Sequence, residues 1–248
     1  IEVVQPNYLP ATGEENFILG VENLLFGSFA DQLRERGMIA TLGTVGGTGA
    51  LNMWAQFHKK TAPDNPILIS HPTWPNHPQI FADQQIPILT YNHLSNGAYD
   101  EEAHIRAIEQ SPEGTVVLFH AGKTHNPTGV NPRTAVEWKH LIAKMEGKQA
   151  LVDIAYLGFG GDIEEYIQPI PCLIEAGVPL SVCVSFAKNM GLYQERPGAL
   201  LMLTANAQEA CLVQKHLRLC ARTTYSSPPA HGERVVGKIL LTPALRAS

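Results

Sequence analysis

Polar side chains stand where runs of apolar residues stop. Lys188 closes the run Leu180 to Ala187, Asp153 interrupts "ALVDIAYLGFG", Asn126 opens the turn "NPTG", and Arg196 lies in "LYQERPG". Desolvation and a nearby cation both disfavour the charged form of a lysine at a buried strand tip, so such an amine can act as a neutral nucleophile. The plainer alternative is a side chain that snorkels out from the strand end. A carboxylate inside an apolar strand is costly unless a cation or a donor meets it; Asp153 could also simply cap the adjacent loop.

Other segments add groups of matching character. In "VGGTGALNMW", Gly47 and Thr48 open a helical pattern, which is either a plain glycine-rich helix start or a site where free backbone N–H groups and the positive end of the helix dipole face an anion. The stretch has neither the lysine of a P-loop nor a GxGxxG spacing. Trp74 and His77 sit in "SHPTWPNH", read as a proline-rich loop whose indole either covers the core or stacks on a flat ligand. His120 and His125 cluster with Asn126, but no acidic ligand is spaced to complete a metal site, so no metal is expected.

Taken together, these groups suit one cofactor. A neutral lysine forms a Schiff base with an aldehyde, and pyridoxal 5'-phosphate is an aldehyde. Its ring nitrogen needs a carboxylate, which Asp153 supplies, and its phenolate oxygen needs donors, which Tyr156 and Asn126 supply. Its phosphate needs N–H groups, hydroxyls and a guanidinium, available from Gly47, Thr48, Ser185 and Arg196. Trp74 would cover its ring.

The elements that must hold these groups read as an α/β fold. Strand-like runs recur at Pro66–His71, Ile86–Tyr91, Thr115–Ala121, Gln149–Ile154, Leu180–Phe186 and Ala199–Leu203. Helical patterns lie between most of them, at Thr48–Lys60, Tyr99–Gln110, Pro132–Glu146, Ile163–Ala176 and Asn206–Ala221. Strands apolar on both faces and alternating with helices predict a mostly parallel central sheet with helices on both faces, its ligands at the strands' carboxyl ends.

Composition narrows the function classes. The 248 residues carry 18 Lys and Arg against 23 Asp and Glu, a formal charge of -5, which gives no basis for binding nucleic acid or an anionic membrane. No apolar run approaches the roughly 18–20 residues of a membrane span. Cys172, Cys183, Cys211 and Cys220 form no CxxC pair and read as reduced core residues, hence a cytoplasmic expectation. A removed organelle transit peptide would leave no trace in a chain starting at Ile1. Both ends read as cut, which suggests a fragment of a longer protein.

"HNPTG", "DIAYLGF" and "SFAKNMGLYQER", with "NYLP" near the start and "YSSPP" near the end, resemble the class I aminotransferases in order and spacing. The likeness is to the aspartate and aromatic amino acid branch of the fold-type I pyridoxal-phosphate enzymes. It implies that residues 1–248 form a large cofactor domain, that most of a small domain built from both termini is absent, and that the protein is a homodimer with shared active sites. By motif, Lys188 resembles the Schiff-base lysine and proton shuttle, Asp153 the pyridinium partner, and His77 the group that orients Asp153. Tyr156 and Asn126 resemble the phenolate ligands, with Asn126 and Trp74 also facing substrate. Gly47, Thr48, Ser185 and Arg196 resemble the phosphate cup. Tyr8 resembles a residue that reaches the partner subunit's cofactor, and Arg222 one that reaches the partner's substrate.

The implied reaction is transamination between an L-amino acid, aspartate or aromatic, and a 2-oxo acid such as 2-oxoglutarate. Another pyridoxal-phosphate reaction (decarboxylase or lyase) and an inactive cofactor-binding fragment are the alternatives. Three local departures accompany the likeness: an extra residue between His120 and His125, Gln194 where glycine is usual, and Pro197 after Arg196.

Overall fold

A computed structural model describes residues 7–122, 125–159 and 161–246. Its elements run α1 (Glu15–Phe26), α2 (Ala30–Glu35), β1 (Ile39–Val45), α3 (Gly46–Thr61), β2 (Ile67–His71), α4 (Asn76–Asp83), β3 (Ile88–Asn92), β4 (Leu94–Ser95), β5 (Ala98–Tyr99) and α5 (Glu101–Gln110). There follow β6 (Val116–His120), α6 (Ala135–Ile142), β7 (Gln149–Ile154), α7 (Ile163–Ile167), α8 (Pro169–Glu175), β8 (Leu180–Ser185), β9 (Pro197–Leu203), α9 (Ala207–Thr224), α10 (Ala230–Leu241) and α11 (Pro243–Arg246).

Seven strands form one sheet in the order β1-β9-β8-β7-β6-β2-β3, and β4 pairs with β5 as a small hairpin. Within the large sheet only β9 runs against its neighbours; it pairs antiparallel with both β1 and β8. The expected fold class is therefore the observed one. Side chains along each central strand alternate between two apolar layers. Val117, Phe119, Val152 and Val182 face the layer under α1, α5, α6, α8 and α10, while Leu118, Leu151 and Cys183 face the layer under α3, α4 and α9. A strand buried on both faces must be apolar throughout, which explains why β6, β7 and β8 read clearly from sequence.

Several sequence expectations need correction. β1 was not anticipated: "IATLGTV" carries Thr41, Gly43 and Thr44 in its interior, and these do not read as an apolar run. Its buried hydroxyls are satisfied locally, Thr41 donating to Glu22 at 2.7 Å and Thr44 to the Gly46 carbonyl at 3.0 Å. The expected helix Ile163–Ala176 is two helices, because Pro169 begins a new one at its first position. The expected Pro132–Glu146 helix is only Ala135–Ile142, started by a capping box between Thr134 and Glu137. His77 lies not in the expected loop with Trp74 but in the first turn of α4, which tolerates Pro78 because the N–H that proline lacks would find no helical partner there. Cys211 is exposed rather than a core residue.

Candidate functional site

The strand directions gather the site at one edge of the sheet. β6, β7 and β8 are parallel and end there. β9 is reversed, so its start, just after Arg196, falls at the same edge. β1 pairs antiparallel with β9 and ends there too, delivering the first turn of α3. A cleft opens at this edge. Its walls include Gly47, Thr48, Trp74, Asn126, Asp153, Tyr156, Ser185, Lys188 and Arg196, so nine sequence-derived candidates share one pocket.

At one end lies an anion cup. The N–H groups of the first turn of α3 have no helical carbonyl to meet, and Thr48 is exposed beside them. Ser185 Oγ accepts the Ala187 N–H at 3.3 Å, which leaves its own proton free to donate into the cleft. Arg196 is held in a left-handed conformation at φ 55°, with Nη1 donating to the Tyr193 carbonyl at 3.2 Å and its own carbonyl accepting the Gly46 N–H at 2.7 Å.

At the other end Asp153, its side chain 10% exposed, accepts from His77 Nε2 at 2.9 Å. The proton positions behind this contact follow from one fixed donor. The Asn126 backbone N–H can only donate, and it meets His120 Nδ1 at 3.4 Å. Burial lowers the His120 pKa to about 3, so that ring is neutral and carries its proton on Nε2. That proton goes to Thr73 Oγ1 at 3.1 Å, the Thr73 hydroxyl donates to His77 Nδ1 at 2.8 Å, and His77 Nε2–H is directed at Asp153. Thr73 was missed by sequence reasoning; its only signal was its position four residues before His77 in "TWPNH".

Lys188 departs from expectation. β8 ends at Ser185, so the lysine sits in the following turn rather than at the strand tip. It is partly exposed, and Nζ lies 3.6 Å from the centroid of the Tyr156 ring. The expected desolvation is thus not what the strand end provides; the lysine is held over the cleft by the face of an aromatic ring. Trp74 forms a wall and meets His77 edge-on at 5.2 Å. His120 also lines the cleft, and Leu51, Ala121, Ala155, Ala187 and Tyr193, none of them singled out from sequence, complete the lining.

Tyr8 and Arg222 do not reach this cleft. Tyr8 is 95% exposed, and Arg222 is exposed on α9 with Nη1 donating to Ser226 Oγ at 3.2 Å. Lys123 and Thr124, two of the four residues between His120 and His125, lie outside the described residues. Among the described residues no group of three His, Cys, Asp or Glu side chains could hold a metal.

Residues 13–248 match the family model described as aminotransferase class I and II. The chain is 37% identical over 245 residues to an aspartate aminotransferase of Pseudomonas aeruginosa, covering 97% of this chain and 61% of that protein. An aromatic amino acid aminotransferase from Burkholderia cenocepacia superposes with a TM-score of 0.94 at 37% identity, over 99% of this chain and 62% of its own. A Burkholderia pseudomallei aromatic-amino-acid aminotransferase covalently bound to pyridoxal phosphate superposes at 0.93, with 32% identity and the same coverage. The chain thus spans between about half and a little over three fifths of the length of the proteins it matches.

Proposed function

The chain belongs to the aminotransferase class I and II family, and from that premise we propose that it holds pyridoxal 5'-phosphate and serves transamination between aspartate or an aromatic amino acid and a 2-oxo acid such as 2-oxoglutarate. One observation carries the reading: an amine, a buttressed carboxylate and an anion cup line the same cleft. The donor set fits the cofactor. Gly47, Thr48, Ser185 and Arg196 would hold its phosphate, Asp153 its ring nitrogen, Asn126 and Tyr156 its phenolate oxygen, Trp74 its ring face and Lys188 its aldehyde. When bound, the cofactor supplies an electron-withdrawing ring that makes the substrate α-proton acidic.

The chain's own residues do the rest. Asp153, fixed as an acceptor by the His77 N–H, keeps a proton on the atom facing it. Lys188 Nζ, at the end of four methylenes, can take a proton from a substrate carbon and return it at a neighbouring position. Trp74 restricts how a flat group enters. Tyr8 and Arg222 are exposed and do not line their own cleft, which suits service to a second subunit; the proposal therefore includes a homodimer with shared sites, Arg222 meeting a substrate's side-chain carboxylate. In this reading residues 1–248 are the large cofactor-binding domain, supported by the single seven-stranded sheet. No described helix is long and apolar enough to cross a membrane, and the four cysteines are free thiols; a cytoplasmic site is part of the proposal.

The test is an absorbance spectrum of the purified full-length protein with pyridoxal phosphate, then with aspartate or tyrosine. A visible band that is lost in Lys188→Ala, and that converts on adding one of the amino acids, is the expected result. No band in the parent would overturn the proposal.

A further inference from the structure

Behind the turn that delivers Asn126, imidazole rings are stacked. His125, 3% exposed, lies between His120 at 4.1 Å and His93 at 3.8 Å, with interplanar angles of 26° and 15°. His120 belongs to the network that ends at Asp153. His93 follows β3, is 1% exposed, and has no part in the proposed chemistry.

Its attachments are specific. His93 Nε2 meets the Val130 carbonyl at 2.8 Å. A carbonyl can only accept, so the proton is on Nε2, and Nδ1 is left to accept from the Tyr91 hydroxyl at 3.4 Å. Desolvation lowers the His93 pKa, which keeps the ring in this neutral form. The backbone is pinned on both sides, its N–H donating to the His71 carbonyl at 3.0 Å and its carbonyl accepting from the Asp100 N–H at 2.9 Å. The ring is therefore a fixed platform. Stacking on His93, together with the Ser70 hydroxyl 2.8 Å from His125 Nε2 and the Thr128 hydroxyl 2.9 Å from Nδ1, holds the start of the 125–130 turn, and the His93 Nε2 proton holds its end, while inside the turn the Gly129 N–H bonds the His125 carbonyl at 2.7 Å.

We propose that His93 is a positioning residue for Asn126: by gripping both ends of this turn it sets where the Asn126 amide points in the cleft. The inference rests on Asn126 being a cofactor ligand. Phenylalanine at this position would stack without gripping, and glutamine would grip without stacking; an imidazole does both.

The experiment uses the full-length protein and the variants His93→Phe, His93→Leu and His93→Gln, with Asn126→Ala as reference. Without cofactor, amide exchange at Gly129 and Val130 is expected to rise about tenfold in His93→Phe and His93→Leu, the size expected for one lost buried hydrogen bond, with the β7 and β8 amides unchanged. With pyridoxal phosphate, the pH midpoint of its visible band should shift in the direction seen for Asn126→Ala, and His93→Gln should recover part of both effects. Faster exchange with a parental midpoint would make His93 structural only and overturn the proposal, as would parental values of both. A parent that binds no pyridoxal phosphate would sink the cofactor reading instead, which the exchange measurement does not depend on. Should His93→Leu fail to fold, His93→Phe and His93→Gln decide.

Discussion

Gly46 and Arg196 approach so closely that a Cβ on Gly46 would lie 2.5 Å from Arg196 Nη2, so a side chain there must push the guanidinium aside. Gly46 is also at φ 70°, where a Cβ is strained. Arg196 is itself left-handed, and Pro197 after it removes the right-handed helical region as an alternative. The proline that departs from the family pattern thus helps hold the guanidinium in place. Gly46→Ala is expected to cost about 1–2 kcal/mol for the backbone alone and to displace the guanidinium, weakening phosphate binding. Thermal unfolding and titration with inorganic phosphate read the two effects; a variant with parental values in both would show that the close approach does not matter.

Thr73 is the one residue that both accepts from His120 and donates to His77. Thr73→Val keeps the shape and leaves a buried ring N–H and a buried ring nitrogen without partners. The expected loss is about 1–3 kcal/mol per orphaned group, together with weaker pyridoxal phosphate binding, because Asp153 loses its fixed donor. Thr73→Ser should restore both. If valine binds the cofactor as the parent does, the directed chain has no functional weight.

Much of this was legible in the sequence, for a physical reason. β7 was bounded correctly at Gln149–Ile154, because a strand buried on both faces has no polar residue to spare, and Asp153 stood out within it for the same reason. What escaped depends on contacts between distant segments. Gly43 in β1 looks like a strand breaker, yet a Cβ there would lie 2.3 Å from Glu233 Oε1 on α10, so the glycine makes room for a side chain 190 residues away. Thr73 and His93 are ordinary in sequence and gain meaning only where β2, β3 and β6 converge.

Arg222 belongs to the homodimer part of the proposal. A guanidinium that meets a substrate carboxylate contributes about 1.5–3 kcal/mol, so Arg222→Ala should raise KM for aspartate by roughly 10- to 100-fold. KM for tyrosine, which has no side-chain carboxylate, should change much less. Steady-state kinetics with both substrates is the measurement; equal effects on the two would remove Arg222 from substrate recognition.

Glu233 gives a prediction about pH. It is 1% exposed; Oε2 accepts the Glu14 N–H at 2.7 Å, and Oε1 has no hydrogen-bond partner among the described residues. Desolvation raises its pKa from 4.5 to about 8, the Glu14 N–H opposes that rise, and the Glu14 charge adds to it. Between those two values the folded protein holds a proton that the unfolded chain has released. Stability must therefore fall as pH rises through this window, by at most about 1.4 kcal/mol per pH unit from this group. Below 4.5 both states are protonated and above 8 both are ionised, so the contribution is flat on either side. Glu233→Gln removes the titration. Denaturant midpoints measured from pH 5 to 9 should show parent and variant diverging steadily up to about 8, with the variant the more stable at the top, and running parallel beyond it. Parallel curves across the whole range would mean that Glu233 is ionised in the folded protein throughout, and that the space left by Gly13 and Gly43 admits a counter-charge or water.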